Sequence, residues 1–104
     1  MKKAIIYQLN NEHESMLFKN MEELQGEGIQ PHISQYTRVY EKMIPESATL
    51  EELYMLFNIK IPEDFCGHSM SVSDVVVIEN ASNKRTAHFC DSIGFVKLEG
   101  FFEE

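Results

Sequence analysis

Residues 75 to 78 read VVVI, four β-branched side chains in succession and the longest aliphatic run in the chain. Branching at Cβ restricts χ1, lowers helix propensity and packs well on a pleated surface. A strand is therefore predicted here, with most of its surface buried. What precedes it is polar: CGHSMSVSD, residues 66 to 74. If the strand is extended backwards, Ser71, Ser73, Val75 and Val77 share one face, and Val72, Asp74, Val76 and Ile78 share the other. Asp74 then starts on an apolar face, where an unpaired carboxylate loses several kcal/mol of hydration, roughly. Nearby serines supply hydroxyl and backbone donors for it. The preferred reading is that SVSD fastens the lead-in of a buried strand.

The chain has 104 residues, enough for one domain over 1–104 that buries about 65% of the surface its unfolded form exposes. Hydrophobic residues make up 43% and charged residues 25%, which disfavours disorder, coiled coil and fibre. Seventeen acidic residues against nine basic ones leave a net charge of −8. Direct DNA binding through a basic surface is therefore not expected, and a protein partner with a basic surface suits the chain better. Duplex DNA carries one charge per ~1.7 Å of axis, so the acidic surface also falls short of imitating it. The opening MKKAIIY has too short an apolar run for an export leader, which needs about 7–15 residues. No run approaches the ~20 apolar residues that span a bilayer. Cys66 and Cys90 are then expected as free thiols of a cytoplasmic protein with no membrane contact.

KAIIYQL, residues 3 to 9, reads as a first strand. From Ser15, a plausible N-cap, Leu17, Phe18, Met21 and Leu24 fall at helical spacings and Gly26 stands where a helix would just have ended. GEGIQPH is a connection, and ISQYTRVYEKMI alternates Tyr36, Arg38, Tyr40 and Lys42 against Thr37, Val39, Glu41 and Met43 as a second strand. In ATLEELYMLFN, Thr49 and Glu52 form a capping box, and Leu50, Leu53, Tyr54 and Phe57 make one apolar face of a helix over 49–58. Pro62 forbids continuation. Residues 75 to 79, a turn at ASNK, residues 86 to 90, and FVKLEGFF after Gly94 suit a hairpin and a further strand. The expected fold is α+β: an antiparallel or mixed sheet of four to five strands with two helices covering one face.

Three chemical readings compete with the structural one. A serine among Ser69, Ser71 and Ser73 with His68 or His88 and Asp74 or Asp91 offers the residue types of a hydrolytic triad, without a Gly-x-Ser-x-Gly elbow. Cys66-x-His68 and His88-x-Cys90 offer four zinc ligands, at spacings tighter than the usual ligand pairs. The carboxylates Glu22, Glu23, Glu51, Glu52, Glu63 and Asp64, with Tyr36, Tyr40, Phe101 and Phe102, could form an acidic and aromatic contact patch, although such aromatics more often fill a core. No catalytic residue, cofactor or metal is assigned.

YTRVYEKMI, TLEELYMLFN, PEDFCGHSMSVSDVVVI and HFCDSIGFVKL together resemble the YodL-like domain family, found in small proteins of Firmicutes and many of their mobile elements. The resemblance covers nearly the whole chain and brings no established enzymatic activity. It implies that Gly67, His68, Ser69, Ser71, Ser73, Asp74, Asp91, Gly94 and Phe95 shape the sheet lead-in and turns. Cys66 lies outside the family pattern. The implied setting is an accessory protein of a mobile element that binds host machinery, with inhibition of a nucleic-acid defence favoured, most of all a type II CRISPR effector or its guide loading. The rivals are a modulator of the actin-like cell-shape cytoskeleton and a small zinc-binding or hydrolytic protein.

Overall fold

The VVVI run lies at the centre of the molecule. In a computed structural model that describes residues 1–59, 61–65, 67 and 69–103, five strands form one antiparallel sheet. They are β1 (Lys2–Leu9), β2 (Tyr36–Ile44), β3 (Val75–Glu79), β4 (Arg85–Cys90) and β5 (Phe95–Leu98), in the order β2-β1-β3-β4-β5. Strand β3 is flanked by β1 and β4, with Val76 opposite Ile6 and His88. The fold is α+β, as the residues predict, and every strand pair is antiparallel.

The helices α1 (Met21–Gly26) and α2 (Leu50–Ile59) cover opposite faces. This corrects the expectation that both lie on one side. Ile5, Tyr7, Val75, Val77 and Phe89 pack with Leu24 of α1, Met16 and Phe101. Ala4, Ile6, Val76 and Cys90 pack with Leu53 and Phe57 of α2. The reason lies in β3 itself: Val75, Val76 and Val77 are all fully buried, so consecutive side chains on alternating faces each need a cover. Burying a valine contributes about 1.5–3 kcal/mol, which neither face can forgo.

Helix α2 begins as its capping box dictates. Glu52 N–H donates to Thr49 Oγ1 at 3.1 Å, and Thr49 N–H donates back to Glu52 Oε1 at 3.0 Å. The first helix departs from expectation. Ser15 sits in a 3-10 segment, Asn11–Met16, and Phe18 takes a left-handed φ of +65° that no α-helix accommodates. The real N-cap is Asn20, in a second capping box with Glu23. Gly26 closes the helix, and Gly28 at φ +73° terminates it, with Ile29 N–H on Leu24 O and Gly28 N–H on Gln25 O. That pair of bonds is a Schellman motif.

Strand β2 also departs from simple alternation. Ile6 pairs with Tyr40 but Tyr7 with Arg38, so Val39 is an extra residue, a β-bulge. The bulge sends Tyr36 to the α1 side and Tyr40 to the α2 side, where strict alternation puts them together. The β3–β4 turn uses Asn80, whose Oδ1 accepts from Ser82 and Lys84 N–H, and Asn83 at φ +64°.

Candidate functional site

The polar run before β3 is a turn rather than strand. Asp74 N–H bonds Ser71 O at 3.1 Å, and Ser73 stands at φ +86° in the position that a type II turn gives to glycine. The strand faces expected for Ser71, Ser73 and Asp74 therefore do not exist; alternation begins at Val75. Ser73 is fully buried and its polar groups are engaged. Its N–H reaches Cys90 O at 2.9 Å, its Oγ accepts from Phe18 N–H at 3.2 Å, and its carbonyl accepts from the Tyr36 hydroxyl at 2.7 Å. Asp74, also fully buried, accepts on Oδ2 from Gln8 Nε2 at 3.1 Å and Ser71 N–H at 3.0 Å. Gly67 lies against the same Gln8: a Cβ there overlaps Gln8 Oε1 and comes within 2.8 Å of Phe65 Cε1. Ser71 is half-buried and Ser69 is at the surface.

Asp91 ties the β4–β5 turn to α1, its Oδ1 accepting from Met21 N–H at 3.1 Å and Ser92 N–H at 2.9 Å. Gly94 supplies the left-handed residue of that turn at φ +68°, and Phe95 follows it into the α2-side core. His88 and Cys90 share a face of β4, but they differ in surroundings. The half-exposed His88 has its pKa lowered by burial and then by Lys97 and Lys2, and it contacts Thr86 Oγ1 at 2.9 Å. The Cys90 thiol is buried and pushed up to about 12 by burial, with Asp74 and Asp91 adding to it. A thiol so disposed is a weak nucleophile at neutral pH. Cys66 and His68, the other half of the zinc and triad readings, lie outside the described residues. Among the described residues no three His, Cys, Asp or Glu side chains converge as a metal cage.

The acidic candidates are dispersed. Glu22 and Glu23 open α1, while Glu51 and Glu52 open α2 on the other face of the sheet. Glu23 and Glu52 serve as capping-box residues. Exposed Glu63 and Asp64 follow α2, and Asp64 accepts from the Tyr40 hydroxyl at 3.0 Å. Burial first, and Asp64 second, raise the Tyr40 pKa. Tyr40 is half-buried, stacked on Phe65 with centroids 5.5 Å apart. Tyr36 cannot be a contact residue: it is buried, and burial followed by Asp74 raises its pKa. Phe101 is likewise core, and Phe102 is half-buried beneath the Arg85 guanidinium, 4.2 Å from its ring centroid.

What sequence reasoning missed is an exposed apolar face. Met55 is 58% exposed, Ile59 70% and Ile93 91%, and Tyr54 and Ile61 are also exposed. Tyr54, assigned above to the buried stripe of α2, instead points outward beside Met55. Tyr54 and Met55 line a cavity of about 300 Å³ with Glu51, Val72, Phe95 and the turn residues Asp91, Ser92 and Gly94. Ile93, between Ser92 and Gly94, projects from its rim. Along the helix, Met55 and Ile59 line a second hollow with Glu52 and Leu56. The signal was present: LEELYMLFNI has seven apolar side chains in ten residues, more than one buried stripe can hold. Apolar anchors grouped on one face with a polar rim are the composition of a protein contact surface.

A three-layer α+β protein, one helix on each side of an antiparallel sheet, is the class these elements define. Residues 3–101 match the family profile of the YodL-like domain, and the chain belongs to that family. No curated protein and no solved structure matches it significantly. Among the described residues no helix is long and apolar enough to cross a membrane.

Proposed function

We propose that the protein is a non-enzymatic binding module that seats the outer face of α2 on a host protein with a basic surface. Its proposed target is a nucleic-acid defence system, a type II CRISPR effector or its guide complex. The observation that carries the reading is the group of exposed apolar side chains, Tyr54, Met55, Ile59 and Ile93, around and beside a cavity. Exposed Glu51 and Glu52 flank that group, and the net charge of −8 adds a long-range attraction to cationic surfaces. A protein that handles nucleic acid presents a basic groove, which suits acidic residues around apolar anchors.

The test is a plasmid-interference assay in cells carrying a CRISPR effector, with and without this protein. Restored plasmid survival, lost again in an Ile59→Asp variant that folds normally, supports the proposal. Undiminished interference across several effector types by a folded, expressed protein overturns the target. Rounded cells in that same experiment favour action on the cell-shape cytoskeleton instead.

A further inference from the structure

Resting on that reading of the α2 face, we propose that the cavity between α2 and the β4–β5 turn receives an arginine side chain of the partner. Its volume, about 300 Å³, lies at the small end of the ~300–1,000 Å³ typical of ligand clefts, which suits one long side chain. The walls are chemically split. Tyr54, Met55, Val72 and Phe95 offer aromatic and aliphatic surface, while Glu51 brings a carboxylate; Asp91 lines the cavity too, but its carboxylate is engaged by Met21 N–H of α1. A leucine or phenylalanine would use only the first wall and bring the Glu51 carboxylate out of water without a partner. An arginine uses both: its methylenes lie on apolar surface, its planar guanidinium stacks on an aromatic ring, and its donors reach a carboxylate in pairs.

Two further observations agree. The floor of the cavity includes buried Cys90, whose thiol is held protonated by burial and by the negative field of Asp74 and Asp91. A cation entering from above meets that same field. The carboxylates also differ in availability. Asp91 already accepts from two backbone N–H groups, whereas Glu51 is exposed and the α2 capping box uses Glu52 rather than Glu51. Glu51 is thus the group that answers the incoming charge.

The experiment is an amide-resolved NMR titration of the full chain with N-acetyl-arginine methylamide, beside the citrulline analogue, which is uncharged and nearly isosteric. Saturable shifts are expected at Tyr54, Met55 and residues 91 to 95. The citrulline probe should bind about two- to fivefold more weakly, as fits a partly exposed charge contact. Glu51→Gln should abolish that preference while leaving the remaining spectrum in place. Equal binding of the two probes, shifts confined to other acidic sites, an unchanged preference in Glu51→Gln, or no saturable shift would each overturn the proposal. None of these outcomes depends on the interference assay, so the arginine pocket and the proposed target fail separately.

Discussion

Asp74 joins three parts of the molecule: its carboxylate takes donors from Gln8 on β1 and from the Ser71 backbone, and its carbonyl accepts Cys90 N–H at 2.8 Å from β4. Removing a fully buried acceptor orphans its donors, so Asp74→Ala is expected to cost about 2–4 kcal/mol in urea unfolding. Asp74→Asn, which keeps one acceptor oxygen, should cost less. Gly67→Ala acts on the same contact from outside, because its methyl group displaces Gln8; a loss of about 1–3 kcal/mol is expected. The residue types of SVSD announced a hydrogen-bonded cluster, but not its turn. A left-handed serine is readable only once Phe18, Tyr36 and Cys90 are seen to engage it, and they lie far away in sequence. Cys90 sets a pH dependence. Its thiol ionises near 9 when unexceptional and near 12 in the folded chain, so across that window the native state keeps a proton that the unfolded state releases. Stability is therefore complete below pH 9 and falls as pH rises toward 12, by up to about 1.4 kcal/mol per pH unit. Tyr36, also raised, steepens the fall above pH 10. Urea midpoints measured across this range should decline, and the early part of the decline should be missing in Cys90→Ala.

At the scale of elements, local chemistry was readable where it agreed with tertiary packing and misleading where the two differed. Thr49 and Glu52 define the start of α2 in sequence and in space. Asn20 and Glu23 form an equal signal for α1, yet the apolar spacing from Leu17 drew the helix back to Ser15. The left-handed Phe18 decides the matter, because the chain must turn there before a helix can lie on the sheet. The bulge at Val39 was hidden for a related reason: a single extra residue leaves the composition of a strand unchanged while reversing its faces. These two helices differ in what holds them. Helix α2 buries Leu53 and Phe57, so Thr49→Ala should lower stability by about 1 kcal/mol without releasing it. Helix α1 has six residues, buries only Leu24 fully and is tied by Asp91 to Met21 N–H. Isolated helices so short are marginal, which makes the tie decisive. In Asp91→Ala, hydrogen exchange at Leu24 and Glu27 N–H should accelerate while the amides of α2 keep their protection.

For the whole molecule, two cores on opposite faces of a sheet leave little room for further burial, yet one face of α2 stays apolar and uncovered. An aliphatic face that contributes nothing to the core should be replaceable without loss of the fold. Met55→Asp combined with Ile59→Asp is therefore expected to change unfolding free energy by no more than about 0.5 kcal/mol per site. The same change should weaken capture of the partner by about tenfold or more, because contact energy concentrates in a few apolar anchors shielded from water. Charge enters differently. Exposed carboxylates such as Glu51 and Glu63 act over a Debye length of about 8 Å at physiological salt, so they speed encounter more than they hold the complex. Raising salt should slow association while dissociation changes little; the aspartate pair should do the reverse and accelerate dissociation. Surface plasmon resonance on the wild type and the double variant at low and high salt separates the two effects. Dissociation unchanged in the double variant would remove α2 from the interface and return the search to the acidic residues that open α1 on the other face, whereas association that ignores salt would remove the exposed carboxylates from the encounter.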